Sequence, residues 1–361
     1  MKAAVLYETD THLKIENFDL PRPRANQVRV RLVASGVCHS DWHVVKGDWP
    51  FVRLPVILGH EGAGVIEEIG SDVTQVQVGD HVILSWKRNC GFCEMCQKGY
   101  PNLCALPSDG SGKPAIKSSG REIDQMSGLG TFGTETLVPQ DAVVPIDKDM
   151  PFAQAALIGC GVMTGVGAAI NTAEVAPGSS VAVFGCGGVG LNCIQGAAIS
   201  GGEPIIAVDV RDNKLELGKQ FGATHTVNAS EVDPVERIKE ITDGRGVHYA
   251  FEAIGLIGET FRQAILCTRS RGVTVFVGHA PENTPVEFDA RMLMPEKMVI
   301  GSMYGTARPH VDFPRLVSLY KAGQLKLDEL VTRTYPLEGI NDAFEALARG
   351  EVARSVLDLT E

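Results

Sequence analysis

The sequence predicts an α/β protein with two domains, one rich in short strands and one built on a parallel sheet. The chain has 361 residues, more than the roughly 250–300 residues at which a single hydrophobic core stops growing. In about the first 150 residues, short apolar runs are separated by Gly, Pro, Asp and Asn, as in β-rich domains. After about residue 175, strand-like and helix-like runs alternate. Such alternation indicates a parallel sheet with helices on its faces.

Apolar periodicity predicts the individual elements. Strands of the first part are expected at residues 2–7, 28–34, 64–69 and 81–84. Strands of the alternating part are expected at 180–184, 204–209, 249–252 and 273–277, with helices at 189–198, 212–221, 234–242 and 259–266. The last part predicts helices near 313–322 and 340–347 and a strand at 355–359. The polar segment 105–130 has no clear period and is expected to be a loop.

Composition and charge exclude several classes of protein. Apolar residues make up 44% and charged residues 21%, which is typical of a globular rather than a disordered chain. A net charge of −11 disfavours binding to nucleic acid or to anionic membranes. The uncharged stretch 150–173 is long enough for a membrane span, but its Pro151, Gln154, Asn171 and four glycines argue against one. Acidic Glu8 and Asp10 interrupt any signal-peptide apolar region, so a cytoplasmic location is expected.

A glycine-rich turn opens the alternating part. The apolar run 180–184 leads into Gly185-Cys-Gly187-Gly188-Val189-Gly190, and a helical pattern follows. In this strand–turn–helix context, G-x-G-x-x-G predicts a dinucleotide-binding turn. The glycines permit close approach of a pyrophosphate, and the helix N-terminus supplies free N–H groups. The alternative is simple packing of a helix on a sheet.

An acidic residue ends the next predicted strand. Asp209 lies 24 residues after Gly185. Its carboxylate can accept hydrogen bonds from an adenosine ribose and would repel a 2′-phosphate, so NAD is favoured over NADP. The basic Arg211, two residues later, weakens this preference.

Four of the nine cysteines are crowded into fifteen residues: Cys90, Cys93, Cys96 and Cys104. Four thiolates complete the tetrahedral coordination of Zn²⁺ and leave no open position, so a zinc ion here would be structural. An iron–sulfur cluster also uses four thiolates and is an alternative. A disulfide pair is a third reading, which the expected compartment disfavours.

A second set of metal-capable residues is dispersed along the chain. The segment GVCHSDWH at 36–43 is expected to form a short turn, and GHEGAG at 59–64 and IGCG at 158–161 follow. Together Cys38, His60 and Cys160 would give two thiolates and one imidazole, with a fourth position for water or substrate, as in a catalytic zinc site. Taken singly, Cys160 and His60 are also typical of buried core residues. Spacing alone does not bring such distant residues together.

These motifs together resemble the zinc-dependent medium-chain alcohol dehydrogenases, and the resemblance covers nearly the whole chain. It is carried, in family order, by GVCHSDWH at 36–43, GHEGAG at 59–64, the cysteines at 90–104, LIGCGVMTG at 157–165, VFGCGGVGL at 183–191, FEAIG at 251–255 and GEVARSVL at 350–357. Within the family, the chain is most similar to the class III enzymes and to the bacterial aryl or aliphatic alcohol dehydrogenases.

The resemblance implies two zinc ions per chain. Cys38, His60 and Cys160 match the ligands of a catalytic zinc, and the four clustered cysteines match a structural zinc site. Glu61 matches an acidic residue near the catalytic metal that can coordinate it transiently. Asp41 matches the carboxylate that orients the histidine ligand.

The resemblance also assigns residues to proton transfer, substrate and cofactor. Ser40 matches the hydroxyl that takes the alcohol proton, and His43 matches the histidine that passes it to solvent. Trp86 falls where an aromatic residue walls the substrate pocket, and Trp49 is a second candidate for that pocket. The implied cofactor contacts are His39 and Arg354 at the pyrophosphate, Lys214 at the ribose, and Thr164, Ile254 and Val277 at the nicotinamide half.

By resemblance, a GroES-like β-barrel catalytic domain comprises residues 1–163 and 304–361, with a structural zinc lobe at about 88–106. A doubly wound Rossmann domain that binds NAD comprises residues 164–303, and the site is expected in the cleft between the two. The expected reaction is reversible hydride transfer between a primary aliphatic, allylic or aryl alcohol and NAD. Pairing of the apolar edge strand at 299–304 implies a homodimer, with a homotetramer as the alternative.

Two other functions stay open at this point. The first is a dehydrogenase that acts on a thiol adduct of formaldehyde. The glutathione-dependent enzymes have an arginine soon after the cysteine cluster, whereas here no basic residue follows Cys104 until Lys113. The second is an NAD-binding protein without catalytic activity, which retention of the three metal ligands together with Ser40 and His43 argues against.

Overall fold

The computed structural model describes residues 1–106, 116–118, 121–280 and 283–360. Two units make up this part of the chain. The first unit contains Met1–Cys160, Arg308–Gly323 and Leu327–Glu361. The second unit contains Gly161–Ala307 and Gln324–Lys326. The second unit therefore begins three residues before the expected boundary at 164 and extends past the expected end at 303.

Strands are numbered here in chain order. They are β1 Lys2–Leu6, β2 Lys14–Asn17, β3 Gln27–Val37, β4 Val56–Ile57, β5 Glu61–Ile69, β6 His81–Leu84, β7 Ile116–Ser118, β8 Arg121–Gln125, β9 Glu135–Pro139, β10 Val143–Ile146, β11 Val181–Phe184, β12 Ile205–Asp209, β13 His225–Asn228, β14 Val247–Glu252, β15 Thr268–Phe276, β16 Met298–Gly301, β17 Val331–Pro336 and β18 Arg354–Asp358.

Helices are numbered in the same way. They are α1 His39–Lys46, α2 Glu94–Gln97, α3 Phe152–Leu157, α4 Met163–Gly167, α5 Gly188–Ile199, α6 Asp212–Gln220, α7 Pro234–Ile241, α8 Gly258–Cys267, α9 Pro309–Lys321 and α10 Ile340–Ala348. Two π-helical segments, Ile158–Val162 and Ala168–Thr172, follow α3 and α4.

Mostly antiparallel sheets form the first unit. One sheet has the order β10-β6-β5-β3-β18-β17, with β9 also paired to β3, and the other has the order β2-β1-β4-β8-β7. Inward-facing side chains of the first sheet pack with residues of α10 in one buried cluster that includes Leu32, Leu84 and Phe344. Strand β3 is central to this sheet, and α1, which follows it directly, carries residues of the site.

One parallel sheet forms the second unit, in the order β13-β12-β11-β14-β15-β16. In this unit's own numbering the order is 3-2-1-4-5-6, which is that of doubly wound dinucleotide-binding domains. The order reverses between β11 and β14, and the glycine-rich turn follows β11. The predicted α/β class with a doubly wound parallel sheet is confirmed.

A long apolar helical run, Phe152–Thr172, includes α3, α4 and the two π-helical segments. Its length and composition would allow it to cross a membrane, but 72% of its most apolar window is buried within the protein. Burial of this kind is typical of a core helix. The first π-helical segment contains Cys160, and single π turns inside helices occur frequently at functional sites.

Two segments differ from the sequence-based expectation in the kind of secondary structure that they form. The expected short turn at 36–43 is wrong, because β3 continues to Val37 and α1 begins at His39. The expected loop at 105–130 is wrong in its later part, where β7 pairs with β8, and β8 pairs with β4. Residues 107–115 and 119–120 of that segment lie outside the described part. The buried Ile123 shows what anchors β8, since its side chain joins a cluster with Val5 and Ile57.

Candidate active site and metal centres

The start of α1 is fixed by a reciprocal cap between Cys38 and Asp41. Cys38 is the N-cap residue in an extended conformation, and its backbone N–H donates to Oδ2 of Asp41 at 3.2 Å. A residue three positions into a helix that bonds back to the N-cap amide satisfies an otherwise unpaired donor. This cap places the Cys38 thiol at the junction between the central strand β3 and helix α1.

The carboxylate of Asp41 also holds the turn before β5. Its side chain is fully buried, and Oδ1 accepts a hydrogen bond from the Gly59 N–H at 2.9 Å and lies 3.2 Å from Nδ1 of His60. Burial disfavours a charge on His60, but the charge of Asp41 and its hydrogen bond outweigh that effect and raise the pKa of the imidazole. With Nδ1 engaged by the carboxylate, Nε2 of His60 is left to bind a metal.

Cys38, His60, Glu61 and Cys160 converge on one point. Their ligand atoms all lie within 4.8 Å of one another. A hydrogen bond from Cys160 is the largest cause that lowers the pKa of the Cys38 thiol, and the same contact raises the pKa of Cys160. Two sulfur atoms and an imidazole in a buried pocket are the donor set that Zn²⁺ takes in catalytic sites. The residues therefore fit a zinc ion, with Glu61 as a fourth group.

A buried ion pair adjoins this set. Nη2 of Arg354 lies 3.0 Å from Oε1 of Glu61, and Nη1 donates to the Val37 carbonyl at 3.4 Å. Burial is the largest cause that raises the pKa of Glu61 to about 7, and the charge of Arg354 opposes it. The expected pyrophosphate contact, Arg354, is thus 3% exposed and lies against Glu61 in the first unit. A side chain at Gly36 would overlap Oε2 of Glu61, so the close approach requires glycine there.

The four clustered cysteines meet at a second point. The ligand atoms of Cys90, Cys93, Cys96 and Cys104 lie within 4.8 Å of one another. The Sγ–Sγ distances are 3.6 Å for Cys104 and Cys90 and 3.8 Å for Cys93 and Cys104. A tetrahedral ion with Zn–S bonds of about 2.3 Å separates its sulfurs by about 3.8 Å. A multi-iron cluster spreads its thiolates over several iron atoms, so the spacing favours a single ion.

Backbone N–H groups point at these sulfurs. The amide of Cys93 donates to Sγ of Cys90 at 3.3 Å, and the amides of Cys90 and Leu106 donate to Sγ of Cys104 at 3.3 and 3.4 Å. Backbone hydrogen bonds from Cys96 and Ala105 lower the pKa of Cys93 to about 6. Such donors stabilise thiolates, the form that binds metal. All nine cysteines of the chain are free, which contradicts the disulfide reading.

The glycines of the turn after β11 differ in what surrounds them. Gly185 has a φ of +92°, and a Cβ there would lie 2.6 Å from a side-chain carbon of Ile254. A Cβ at Gly187 would meet nothing within 4 Å, so the backbone there is open to an approaching ligand. A Cβ at Gly190 would overlap the Gly185 carbonyl oxygen. Gly188 and Val189 begin α5, whose N-terminus is suited to a pyrophosphate.

Asp209 ties the glycine-rich turn to the end of β12. Its Oδ2 accepts from the Cys186 N–H at 2.8 Å, and its Oδ1 accepts from the N–H groups of Val210 and Arg211 at 2.8 and 3.1 Å. Lys214 is 8% exposed on α6, and burial lowers its pKa while the charge of Asp209 opposes that shift. The predicted ribose-binding groups therefore lie together at the carboxyl end of β12.

The remaining predicted residues lie on elements of their own unit. In the second unit, Ile254 and Val277 follow β14 and β15, and Thr164 lies on α4. In the first unit, Trp49 and Trp86 are half-buried and pack against the main apolar cluster. On α1, His39 is exposed, and Ser40 and His43 are three residues apart. That spacing puts their side chains on one face of the helix.

Two residues near these sites were missed by sequence reasoning. Asp48 accepts a hydrogen bond from His43, with Nδ1 and Oδ2 2.8 Å apart. Glu252, fully buried at the end of β14, accepts bonds from the N–H groups of Ile254 and Gly255 and from the hydroxyl of Thr260. In the sequence, the signal for Asp48 is weak: it is an acidic residue between Gly47 and Trp49, five positions after His43. Glu252 shows no comparable signal.

Known proteins are similar over the whole chain. Residues 24–148 match the family "Alcohol dehydrogenase GroES-like domain", and residues 188–322 match "Zinc-binding dehydrogenase". The S-(hydroxymethyl)glutathione dehydrogenase of Candida maltosa is 38% identical over 370 residues, which cover 99% of this chain and 97% of that protein.

Solved structures show the same similarity. An alcohol dehydrogenase zinc-binding domain protein from Burkholderia ambifaria has a TM-score of 0.95 and 36% identity, over 100% of this chain and 99% of that chain. The benzyl alcohol dehydrogenase of Acinetobacter calcoaceticus has a TM-score of 0.92 and 36% identity, over 99% of this chain and 98% of that chain.

We expect Cys90→Ser to lower the melting temperature by several degrees and to remove one metal ion per chain. A closed four-thiolate site contributes its binding free energy to folding, so losing one thiolate weakens both. Metal analysis by mass spectrometry and thermal unfolding measure the two effects. Cys267→Ala, a buried cysteine away from both clusters, is the control and should keep its metal. An unchanged metal content in Cys90→Ser would contradict a metal at the four sulfurs, and iron in place of zinc would favour the cluster alternative.

Proposed function

The chain belongs to the zinc-dependent medium-chain alcohol dehydrogenase family, and from that premise we propose that it interconverts primary alcohols and aldehydes with NAD. The observation that carries the proposal is the convergence of Cys38, His60 and Cys160, with ligand atoms within 4.8 Å and Asp41 bonded to the imidazole. Alcohol oxidation requires a metal that binds the substrate oxygen and a cofactor that accepts hydride. The three ligands with an oriented histidine, and the glycine-rich turn of the same chain, would supply both.

Two zinc ions per chain are part of the proposal, one at the Cys38–His60–Cys160 set and one at the four clustered cysteines. Bound there, zinc would polarise the alcohol oxygen as a Lewis acid, and NAD would supply the hydride acceptor. Nine free cysteines, with two thiol clusters among them, suit a reducing compartment. We therefore also propose a cytoplasmic location.

The chain's own residues handle the proton that the alcohol loses. Ser40 takes the hydroxyl proton, and His43, one helical turn further along α1, passes it to solvent. The His43 side chain is 13% exposed, which gives the proton an exit. Asp41 keeps His60 in one orientation, so that the metal and the substrate oxygen are held in place. A positioned acid–base relay typically contributes about 10²–10⁴-fold to the rate.

Trp49 and Trp86 support primary alcohols as the substrate class. Both indoles are half-buried in the unit that holds Cys38, His60 and Cys160. If they line the substrate pocket as the resemblance implies, they would narrow the space for branched secondary alcohols. The name of the Acinetobacter relative, a benzyl alcohol dehydrogenase, supports an aryl alcohol as one member of the class.

A thiol adduct of formaldehyde is the second candidate substrate. The Candida relative at 38% identity is named for such an adduct of glutathione. Against it, no basic residue follows Cys104 until Lys113, whereas the glutathione-dependent enzymes have an arginine soon after the cysteine cluster. NAD reduction measured with a panel of alcohols, and with formaldehyde plus glutathione or other thiols, separates the two. Activity with none of these substrates would favour a non-catalytic NAD-binding protein.

We expect Cys160→Ala to lower the rate of alcohol oxidation by about 10³-fold or more, because several kcal/mol of charge stabilisation is lost with the metal ligand. Metal analysis should show about one ion per chain rather than two. Cys267→Ala serves again as the control and should retain wild-type activity. A Cys160→Ala protein that oxidises alcohols at the wild-type rate would refute the catalytic site.

Replacing Asp209 with Ser should raise the KM for NAD by about 10-fold or more, in line with about 1.5–3 kcal/mol for hydrogen bonds to a charged group, and should improve the use of NADP. The change has two effects: it removes the negative charge that repels a 2′-phosphate, and it removes the acceptor of the Cys186 amide. Asp209→Asn separates the two effects, since it removes the charge but keeps an acceptor oxygen. Steady-state kinetics with both cofactors measures them. A wild-type enzyme that already prefers NADP would overturn the assignment and point to Arg211.

We also propose a homodimer, with a homotetramer as the alternative. Strand β16 is at the edge of its sheet, and Met298 and Val299 on it are 47% and 37% exposed. An apolar edge of this kind is stabilised by pairing with a second copy across a two-fold axis. Light scattering should give twice the 38.6 kDa chain mass for the dimer, or four times that mass for the tetramer. Ile300→Lys should shift the protein toward monomer and Val311→Lys, on α9, should not; a monomeric wild type would refute the pairing.

A further inference from the structure

Two side chains hold the His43 ring: a carboxylate contacts its edge and an indole stacks on its face. On the edge, Nδ1 lies 2.8 Å from Oδ2 of Asp48. On the face, the imidazole stacks on Trp49, with ring centroids 5.8 Å apart and planes 22° apart. Trp49 in turn stacks on Phe51, at 5.5 Å and 25°. The stack restricts the plane of the imidazole, and the carboxylate restricts its rotation within that plane.

Backbone geometry at the end of α1 brings Asp48 to this position. Gly47 follows the last residue of the helix with a φ of +79°, and its N–H donates to the Val44 carbonyl at 3.1 Å. The N–H of Asp48 donates to the carbonyl of His43 itself at 2.9 Å. These two bonds form the Schellman motif that commonly ends helices at glycine. Asp48 is therefore tied to His43 through the main chain as well as through its side chain.

The pairing also fixes which nitrogen of His43 can accept a proton. An ionised carboxylate only accepts hydrogen bonds, so Nδ1 of a neutral His43 must carry the hydrogen that lies between them. The lone pair is then on Nε2. Without the carboxylate, the two neutral tautomers compete, and in one of them Nε2 already carries a hydrogen and cannot accept another.

We propose that Asp48 is a positioning residue for His43, which holds the ring in the Nδ1–H tautomer so that Nε2 is free to accept the proton that the alcohol loses. This inference rests on the proposed function. In the step, the Ser40 hydroxyl takes up the alcohol proton as it gives up its own, and one proton ends on Nε2 of His43. The imidazolium that results lies beside the Asp48 carboxylate and over the Trp49 face, and both stabilise its charge. It then loses a proton to water.

Kinetics of alcohol oxidation tests the role in the reaction. Asp48→Ala should lower kcat by about 10-fold, the lower end of the usual effect of removing an orienting partner, while the KM for NAD stays within about twofold. Asp48→Asn keeps an oxygen that can accept from Nδ1–H and should lose less than Asp48→Ala. Asp10→Asn is the matched control, because Asp10 pairs with Lys46 on the same helix and its loss should leave kcat unchanged.

A double-variant cycle separates positioning from a general structural effect. If Asp48 acts through His43, then His43→Ala and His43→Ala/Asp48→Ala should have the same kcat within about twofold, since the second change has nothing left to act on. If the Asp48→Ala loss recurs in full in the His43→Ala background, or if Asp48→Ala leaves kcat at the wild-type value, the proposal is overturned.

NMR spectroscopy can determine the tautomer of His43 directly, without measuring enzyme activity. Long-range ¹H–¹⁵N spectra of protein labelled at histidine, under alkaline conditions, distinguish Nδ1–H from Nε2–H, and His43→Gln identifies the signals. We expect Nδ1–H in the wild type and in Asp10→Asn, and a mixture in Asp48→Ala. Nε2–H in the wild type would overturn the proposal whatever the kinetics. A wild type that oxidises no alcohol but shows Nδ1–H would refute the proposed function and leave the positioning of His43 intact.

Discussion

The geometry of the site formed by Cys38, His60 and Cys160 depends on the buried carboxylate of Asp41. It bonds to the amides of Cys38 and Gly59 and to the His60 ring at 3.2, 2.9 and 3.2 Å. It thereby fixes the start of α1, the turn before β5 and the orientation of one ligand with a single side chain. A buried carboxylate is costly unless its oxygens are hydrogen-bonded, and these three contacts supply the partners of Asp41.

The second unit, with the parallel sheet, has a similar arrangement. Asp209 holds the glycine-rich turn against the end of β12 through the Cys186 amide, and Glu252 holds the segment after β14 through two amides and the Thr260 hydroxyl. Both strands end beside β11, at the place where the strand order reverses. Carboxylates at strand ends thus shape loops whose glycines leave no room for side chains, such as Gly185 and Gly190.

The elements that sequence reasoning found are those with a strong local signal. The strands β11, VAVF, and β12, IIAVD, are nearly continuous apolar runs in a parallel sheet, and such runs are easily recognised. The elements it missed have no such signal. The strand β4 has two residues, and α1, whose sequence HSDWHVVK is mostly polar, has the pattern of a turn. Its helical structure comes from the cap of Cys38 and Asp41 and from Gly47, which a hydrophobic pattern does not reveal.

The candidate site shows a different limit. Resemblance indicated Cys38, His60 and Cys160 as a set, whereas spacing could not, since their proximity depends on strands that pair across long separations in the chain. Resemblance also gives Arg354 a role at the pyrophosphate, which stays a prediction, and the structure adds that its guanidinium is buried against Glu61.

Arg354 and Glu61 show why the surroundings of a residue matter as much as its identity. Burying both members of an ion pair has a large desolvation cost, and removing one member leaves the other unpaired in an apolar environment. The pair therefore contributes little net stability, but it fixes a carboxylate beside the two sulfurs and the imidazole. Asp48, whose carboxylate is half exposed, is also important for orientation rather than for stability. Its proposed role is to keep one nitrogen of His43 free, and this role does not depend on a strong contact.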